Sequence, residues 1–121
     1  MRTKNFKGRC TKQQLSKCSD VVRTYDMLQT AVATLLQKDD SILSFFCNVP
    51  LDDLEEGEFT TDFLAVKTDG SYLVRECVYR KRLILPRTAK LLDASRTYWE
   101  RHGVTDWGII VEKELTDREK E

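Results

Sequence analysis

The spacing of apolar residues divides the chain into a short series of elements. After a polar lead-in, Val21, Tyr25, Leu28, Val32, Leu35 and Leu36 recur at the three- and four-residue intervals of one helix face. Ser19-Asp20 stands just before them as an N-cap, since a short side-chain oxygen there accepts an unpaired N–H of the first turn. The pattern predicts a first helix from that cap to Gln37, broken by Lys38-Asp39-Asp40-Ser41. Ile42 to Val49 is a continuous apolar and aromatic run suited to a strand, with Pro50 as its stop. Leu51 to Gly57 is an acidic loop carrying Asp52, Asp53, Glu55 and Glu56, with Glu58 just beyond. Phe59 to Val66 and Ser71 to Tyr79 read as strands of a hairpin turned at Thr68-Asp69-Gly70, where glycine supplies positive φ. Arg80 to Leu85 is a basic connection. Pro86 suits the first turn of a helix that carries Leu91, Leu92, Ser95, Tyr98 and Trp99 on one side, and Gly103 ends it. Trp107 to Val111 is a last strand.

The order helix, three strands, helix, strand predicts an α/β domain, a small mixed sheet flanked by helices, over residues 18–115. Residues 1–17, with Lys4, Lys7, Arg9, Lys12 and Lys17, read as a basic mobile arm or a loosely packed lead-in, and 116–121 as a charged tail. A chain of 121 residues fits one domain with one modest core.

Composition narrows the function classes. Twenty basic residues balance twenty acidic ones, so no global charge draws the chain to nucleic acid or an anionic membrane. Cys10, Cys18, Cys47 and Cys77 lack the paired spacing of a zinc site, and His102 is the one histidine. Cys47 and Cys77 fall within predicted strands and read as small buried hydrophobes. Reduced thiols, no apolar leader core and no apolar run of membrane length fit a cytoplasmic protein.

Two groups of residues carry chemistry. Alternation places Tyr72, Val74, Glu76 and Val78 on one face of their strand, and Thr60, Asp62 and Leu64 on one face of the strand before it. If the hairpin sets Asp62 beside Glu76, the two carboxylates repel unless a proton or a cation relieves them. Mg²⁺ or Mn²⁺ meets that need, because a hard divalent ion accepts one or two carboxylates and keeps waters for a substrate phosphate. The alternative is a Glu76 paired with a nearby arginine and an Asp62 that caps a strand end. The second group is basic: Arg75, Arg80, Lys81, Arg82, Arg87 and Lys90 fall close together in a chain of zero net charge. They form either a phosphate-contacting surface for DNA or a solvated connection and helix end.

Thr61-Asp62-Phe63, Pro86-Arg87-Thr88, Lys90-Leu91, Tyr98-Trp99-Glu100, Gly103-Val104, Trp107-Gly108-Ile109-Ile110 and Glu112-Lys113-Glu114 occur in an order and at intervals that resemble the N-terminal nuclease domain of the TnsA family. These are the endonuclease subunits of heteromeric transposases, with a restriction-endonuclease-like fold, and the resemblance covers residues 16–115. It implies a mobile genetic element, DNA as partner, other transposition proteins, and a Mg²⁺- or Mn²⁺-dependent centre made of a helix glutamate, a strand aspartate, and a Glu or Gln followed two residues later by Lys. On this chain those positions fall at Gln29, Asp62, Glu76 and Val78. The family continues into a C-terminal partner-docking domain, which the reading expects to be missing here. Gln29 brings no charge and Val78 no cation, so the expected protein binds Mg²⁺ or Mn²⁺ only weakly and is DNA-associated with weak or lost endonuclease activity. A working endonuclease with basic help relocated to Arg80 or Lys81, and a protein-interaction module that keeps only the scaffold, are the alternatives.

Overall fold

The computed structural model describes residues 9–113. Its elements are β1 (Thr11–Gln13), β2 (Val22–Thr24), α1 (Met27–Lys38), β3 (Ile42–Leu51), β4 (Phe59–Lys67), β5 (Tyr72–Cys77), α2 (Arg80–Leu83), α3 (Pro86–Arg101) and β6 (Asp106–Ile110). The main sheet has the order β3-β4-β5-β6. The first two pairings are antiparallel and β5–β6 is parallel. A parallel pair needs a crossover, and α3 supplies it. The chain is therefore α/β with a mixed four-stranded sheet flanked by helices, the class expected from the pattern.

Each face of the sheet buries its own cluster. On one side Leu28, Val32, Ala33 and Leu36 of α1 pack with Phe45, Phe63, Ala65 and Leu73. On the other Trp99 of α3 packs with Val49, Leu51, Leu64, Val74 and Val104. The turn between β4 and β5 is the one anticipated: Gly70 has φ 88°, and Asp69 Oδ1 accepts from the Ser71 N–H at 2.9 Å and its hydroxyl at 2.6 Å. Gly103 ends α3 with φ 83°.

Several boundaries differ from the sequence reading. The first helix starts at Met27, not after Asp20, because Asp26 is the better placed cap: its Oδ1 accepts from the Gln29 N–H at 2.7 Å. Val22 and Thr24, β-branched residues that favour extended backbone, form β2 and pair with β1. Leu35, counted on the helix face by its interval, is 64% exposed. The described part of the lead-in is tied down rather than loose. Lys17 Nζ donates to the Asp39 carbonyl at 2.6 Å and the Leu36 carbonyl at 3.4 Å, closing the end of α1, and the Lys17 carbonyl accepts from Phe45 N–H at 3.1 Å. The tail at 116–121 and lysines 4 and 7 lie outside the described residues.

Pro50 does not stop β3, which runs on to Leu51 with Pro50 opposite Thr60. β3 is an edge strand of its sheet, so a missing N–H on the open side breaks no ladder bond. β5 ends at Cys77, two residues early, and the basic connection is a single helical turn, α2.

Replacing Asp26 by alanine should lower stability by about 1 kcal/mol, the usual cost of losing a side-chain N-cap, while Asp20→Ala should be close to neutral. Urea denaturation of the two variants checks this. A larger loss for Asp20→Ala would return the helix start to the earlier position.

Candidate functional site

The site begins with a break in strand alternation. Phe63 and Ala65 of β4 face α1, and Leu64 faces α3. Regular alternation would carry Asp62 to the α3 side with Leu64. Instead Thr61 takes that side, where its Oγ1 accepts from Trp99 Nε1 at 2.8 Å, and Asp62 turns its Oδ1 toward Gln29 of α1. β3 slips in step: Cys47 packs with the α1 cluster and Val49 with the α3 cluster. The residue between them, Asn48, has φ 56°. The ladder passes from Cys47↔Phe63 to Val49↔Thr61 with no pair between Asn48 and Asp62. Asparagine tolerates the left-handed region better than most residues, and here its side chain is fastened at both ends. Asn48 Nδ2 donates to the Arg23 carbonyl at 2.8 Å, and its Oδ1 accepts from Gln29 Nε2 at 2.8 Å. The expected shared face of Asp62 and Leu64 is thus not formed.

Glu76 keeps its strand's alternation and enters the α3 side, fully buried. Three donors surround its carboxylate. Oε2 accepts from Ser95 Oγ at 2.6 Å and Thr61 Oγ1 at 3.0 Å, and Oε1 accepts from the Asp62 N–H at 2.9 Å. The directions follow from the donor and acceptor inventory once Glu76 is ionised. An indole N–H can only donate, and Trp99 Nε1 donates to Thr61 Oγ1 while Trp107 Nε1 donates to Ser95 Oγ at 3.1 Å. A carboxylate can only accept, so with Glu76 ionised each hydroxyl gives its own proton to it. The arrangement suits an ionised carboxylate, but complete burial weighs more and lifts the group to about 7 against the pull of Ser95, Asp62 and Thr61.

Asp62 sits at the seam between the two sides. Oδ2 accepts from the Cys77 N–H at 2.8 Å and Oδ1 from Gln29 Nε2 at 3.1 Å. Burial, then the neighbouring Glu76, hold its carboxyl well above the usual range. Gln29 has one possible orientation, because its Oε1 accepts from the Tyr25 N–H at 2.9 Å, which leaves its amide protons for Asn48 and Asp62.

Gln29, Asp62 and Glu76 are thus brought together, joined by hydrogen bonds, but Asp62 is held at the seam by Gln29 and the Cys77 N–H while the Glu76 carboxylate is enclosed on the α3 side. A hard divalent ion wants several oxygen lone pairs converging on one point. Here Glu76 is enclosed by three donors, Asp62 takes one donor on each oxygen, and Gln29 offers N–H rather than carbonyl. This donor set does not fit Mg²⁺ or Mn²⁺.

Asp62 also lines an open cleft of about 500 Å³ with Asp26, Val78, Lys81, Arg82 and Thr88. The turn of α2 brings Lys81 and Arg82 there. Arg80, Arg87 and Lys90 are exposed like them. Arg80 is held at its N–H by Glu112 Oε1 at 2.8 Å and at Nε by the Glu112 carbonyl at 3.1 Å, and Arg87 lies against Gly57, whose φ of 130° and lack of a Cβ make the room. Arg75 leaves the basic group altogether: it donates to Asp106 Oδ1 at 2.8 Å and to the Asp106 carbonyl at 3.1 Å.

Thr61, Ser95 and Asn48 were not recognised from sequence as site residues. Ser95 gave one sign, a hydroxyl on the otherwise apolar side of α3. Neither a family model nor any curated protein matches the chain.

Both carboxyls have raised values in the folded state, so their contribution to stability is present at low pH and is lost as pH rises, for Glu76 through about 7. The urea midpoint should therefore fall between pH 5 and pH 8. Thr61→Val keeps the shape but removes a donor to Glu76 and orphans the Trp99 N–H. It should cost about 2 kcal/mol, with the greater loss at pH 8, where Glu76 is ionised. A cost equal at both pH values would contradict this account of Glu76.

Proposed function

We propose that the chain is a TnsA-like nuclease-fold protein of a mobile genetic element, DNA-associated, whose endonuclease centre is weak or lost. Its restriction-endonuclease-like character is part of the proposal. A helix, three antiparallel strands, a crossover helix and a parallel strand, with Asp62 and Glu76 on the two hairpin strands, are the features that support it. The observation that carries the reading of lost activity is the Gln29 amide donating to Asp62 at 3.1 Å. The family's glutamate at that position would add a negative charge and a ligand; the amide adds a proton and satisfies the aspartate without a metal. Val78 compounds the loss, since it lines the cleft where the family places a lysine. Removing a single electrostatic element of this kind typically costs about a hundredfold to a thousandfold in rate.

DNA is the proposed partner because Lys81 and Arg82 stand at the same cleft, with Arg87 and Lys90 exposed on the helix that follows. Backbone phosphates release counterions when such groups bind, which gives salt-sensitive affinity without sequence preference. Association with other transposition proteins follows from the resemblance alone.

The competing reading is a working Mg²⁺- or Mn²⁺-dependent endonuclease in which Lys81 takes over from the missing lysine. Its one support is that Lys81 and Asp62 line one cleft.

Fluorescence anisotropy should show duplex binding that weakens steeply as salt rises from about 50 to about 200 mM, and Lys81→Ala with Arg82→Ala should reduce the log–log slope by about two. A wild-type protein that ignores duplex even at low salt would shift the assignment to a protein-interaction scaffold.

Plasmid incubated with the wild type in Mg²⁺ or Mn²⁺ should stay supercoiled, and calorimetry should find no saturable Mn²⁺ site. Gln29→Glu with Val78→Lys restores the missing charge and cation and should recover nicking. Cleavage by the wild type that disappears in Asp62→Ala would establish the working enzyme instead.

A further inference from the structure

Cys18 and Cys47 take no part in the carboxylate network or the basic cleft, yet the fold sets them together across the stretch of chain that holds β2 and α1. Cys47 is buried on β3, 6% exposed, and Cys18 lies half-buried in the segment between β1 and β2. That segment is pinned where it matters: the Phe45 N–H donates to the Lys17 carbonyl at 3.1 Å, and the Cys18 N–H donates to the Leu15 carbonyl at 3.0 Å. Both cysteines line one small cavity with Val22 and Phe45, and Cys18 packs on the core cluster that contains Cys47. The two side chains are close enough to influence each other's ionisation in opposite directions, and all four cysteines are free.

We propose that Cys18 and Cys47 are an oxidation site, a thiol pair that peroxide converts to an intramolecular disulfide and that a dithiol reductant restores. The unequal burial assigns the order of events. Cys18 is the more exposed of the two, and the neighbouring Cys47 thiol holds it below the ordinary thiol value. Its thiolate attacks one oxygen of hydrogen peroxide; the O–O bond breaks, the other oxygen leaves as hydroxide and takes up a proton to become water, and Cys18 is left as a sulfenic acid. The Cys47 sulfur then attacks Cys18 Sγ. The S–O bond breaks as the S–S bond forms, and the departing hydroxide takes the Cys47 proton as a second water. Two thiols lose two electrons and the peroxide gains them.

The bridge ties the segment between β1 and β2 to the residue immediately before Asn48, the side chain that positions Gln29. It would fix the strand slip on which the Gln29–Asp62 contact depends.

The test treats the full chain with hydrogen peroxide at stoichiometric concentration. Intact mass should fall by two hydrogen atoms, a non-reducing peptide map should join the Cys18 and Cys47 peptides, and dithiothreitol should reverse both. Cys47→Ala should leave Cys18 as a sulfenic acid that dimedone captures, and Cys18→Ser should leave Cys47 unmodified under the same exposure. Cys10→Ser and Cys77→Ser should not alter the bridge. No mass change, a bridge through Cys10 or Cys77, a disulfide between two molecules, or direct passage of Cys18 to the sulfinic acid in the wild type would each overturn the proposal. None of these outcomes depends on DNA binding or cleavage, so the proposal stands or falls separately from the function proposed above.

Discussion

The buried carboxylate of Glu76 is the constraint around which the rest of the molecule is arranged. An ionisable group at zero exposure is costly unless its lone pairs are met. Three separate parts of the chain converge on them: Thr61 and the Asp62 N–H from β4 and Ser95 from α3 bond the carboxylate, and Trp99 of α3 and Trp107 of β6 bond the two hydroxyls. The crossover helix is thereby fixed against the sheet by polar bonds as well as by packing. It also explains why two tryptophans stand at these positions. Each contributes a large apolar body to the α3 side and one N–H that can only donate, which occupies an acceptor site on a hydroxyl and leaves that hydroxyl's proton for the Glu76 carboxylate.

This demand propagates to the other face through one residue. For Thr61 to serve Glu76, β4 must present it toward α3, and Asp62 is then turned toward α1. The strand cannot do this in regular alternation next to Phe63, so the neighbouring strand yields as well, at Asn48 with φ 56°. A left-handed asparagine costs something, and the Arg23 carbonyl and Gln29 amide hold it there. The slip is thus shared by two strands and by α1. That shared slip is why Asp62 and Glu76, neighbours along a hairpin, do not face a common point.

Much of the fold was legible because its signals are local. The Asp69-Gly70 turn, Pro86 at the head of α3 and Gly103 at its end depend on backbone conformations that only certain residues adopt easily. The misreadings have a different physical origin. Val21 and Tyr25 fell at helical intervals from Leu28 by coincidence, and only the competition between two acidic caps, Asp20 and Asp26, decided the start of α1. Pro50 looked terminal because its tolerance depends on β3 being an edge strand, a property of the assembled sheet. At the candidate site, the types and rough neighbourhood of Gln29, Asp62 and Glu76 could be read, but not their directions. Those turn on a strand slip set by hydrogen bonds to residues far along the chain, and no periodic pattern in either strand encodes it. Arg75 misled for the same reason: its partner, Asp106, comes from a strand after the crossover.

Under the proposed reading, the position occupied by Gln29 links stability to the loss of activity. A glutamate there would set a third carboxylate beside Asp62 and Glu76, with Asp26 close enough to add its own repulsion. Such a group in a mostly buried site needs a divalent ion to hold it together, and the metal-free protein would bear the strain. An amide removes that need. It donates to Asp62, completes the side chain of Asn48, and lets the three residues rest without a metal. The same substitution that empties the site of its ligand set therefore relieves the fold of a functional burden, the direction expected when active-site geometry and stability compete. The basic residues at the cleft are under no such conflict: they are exposed, their repulsion is screened by solvent, and they can persist with or without chemistry in the centre beside them.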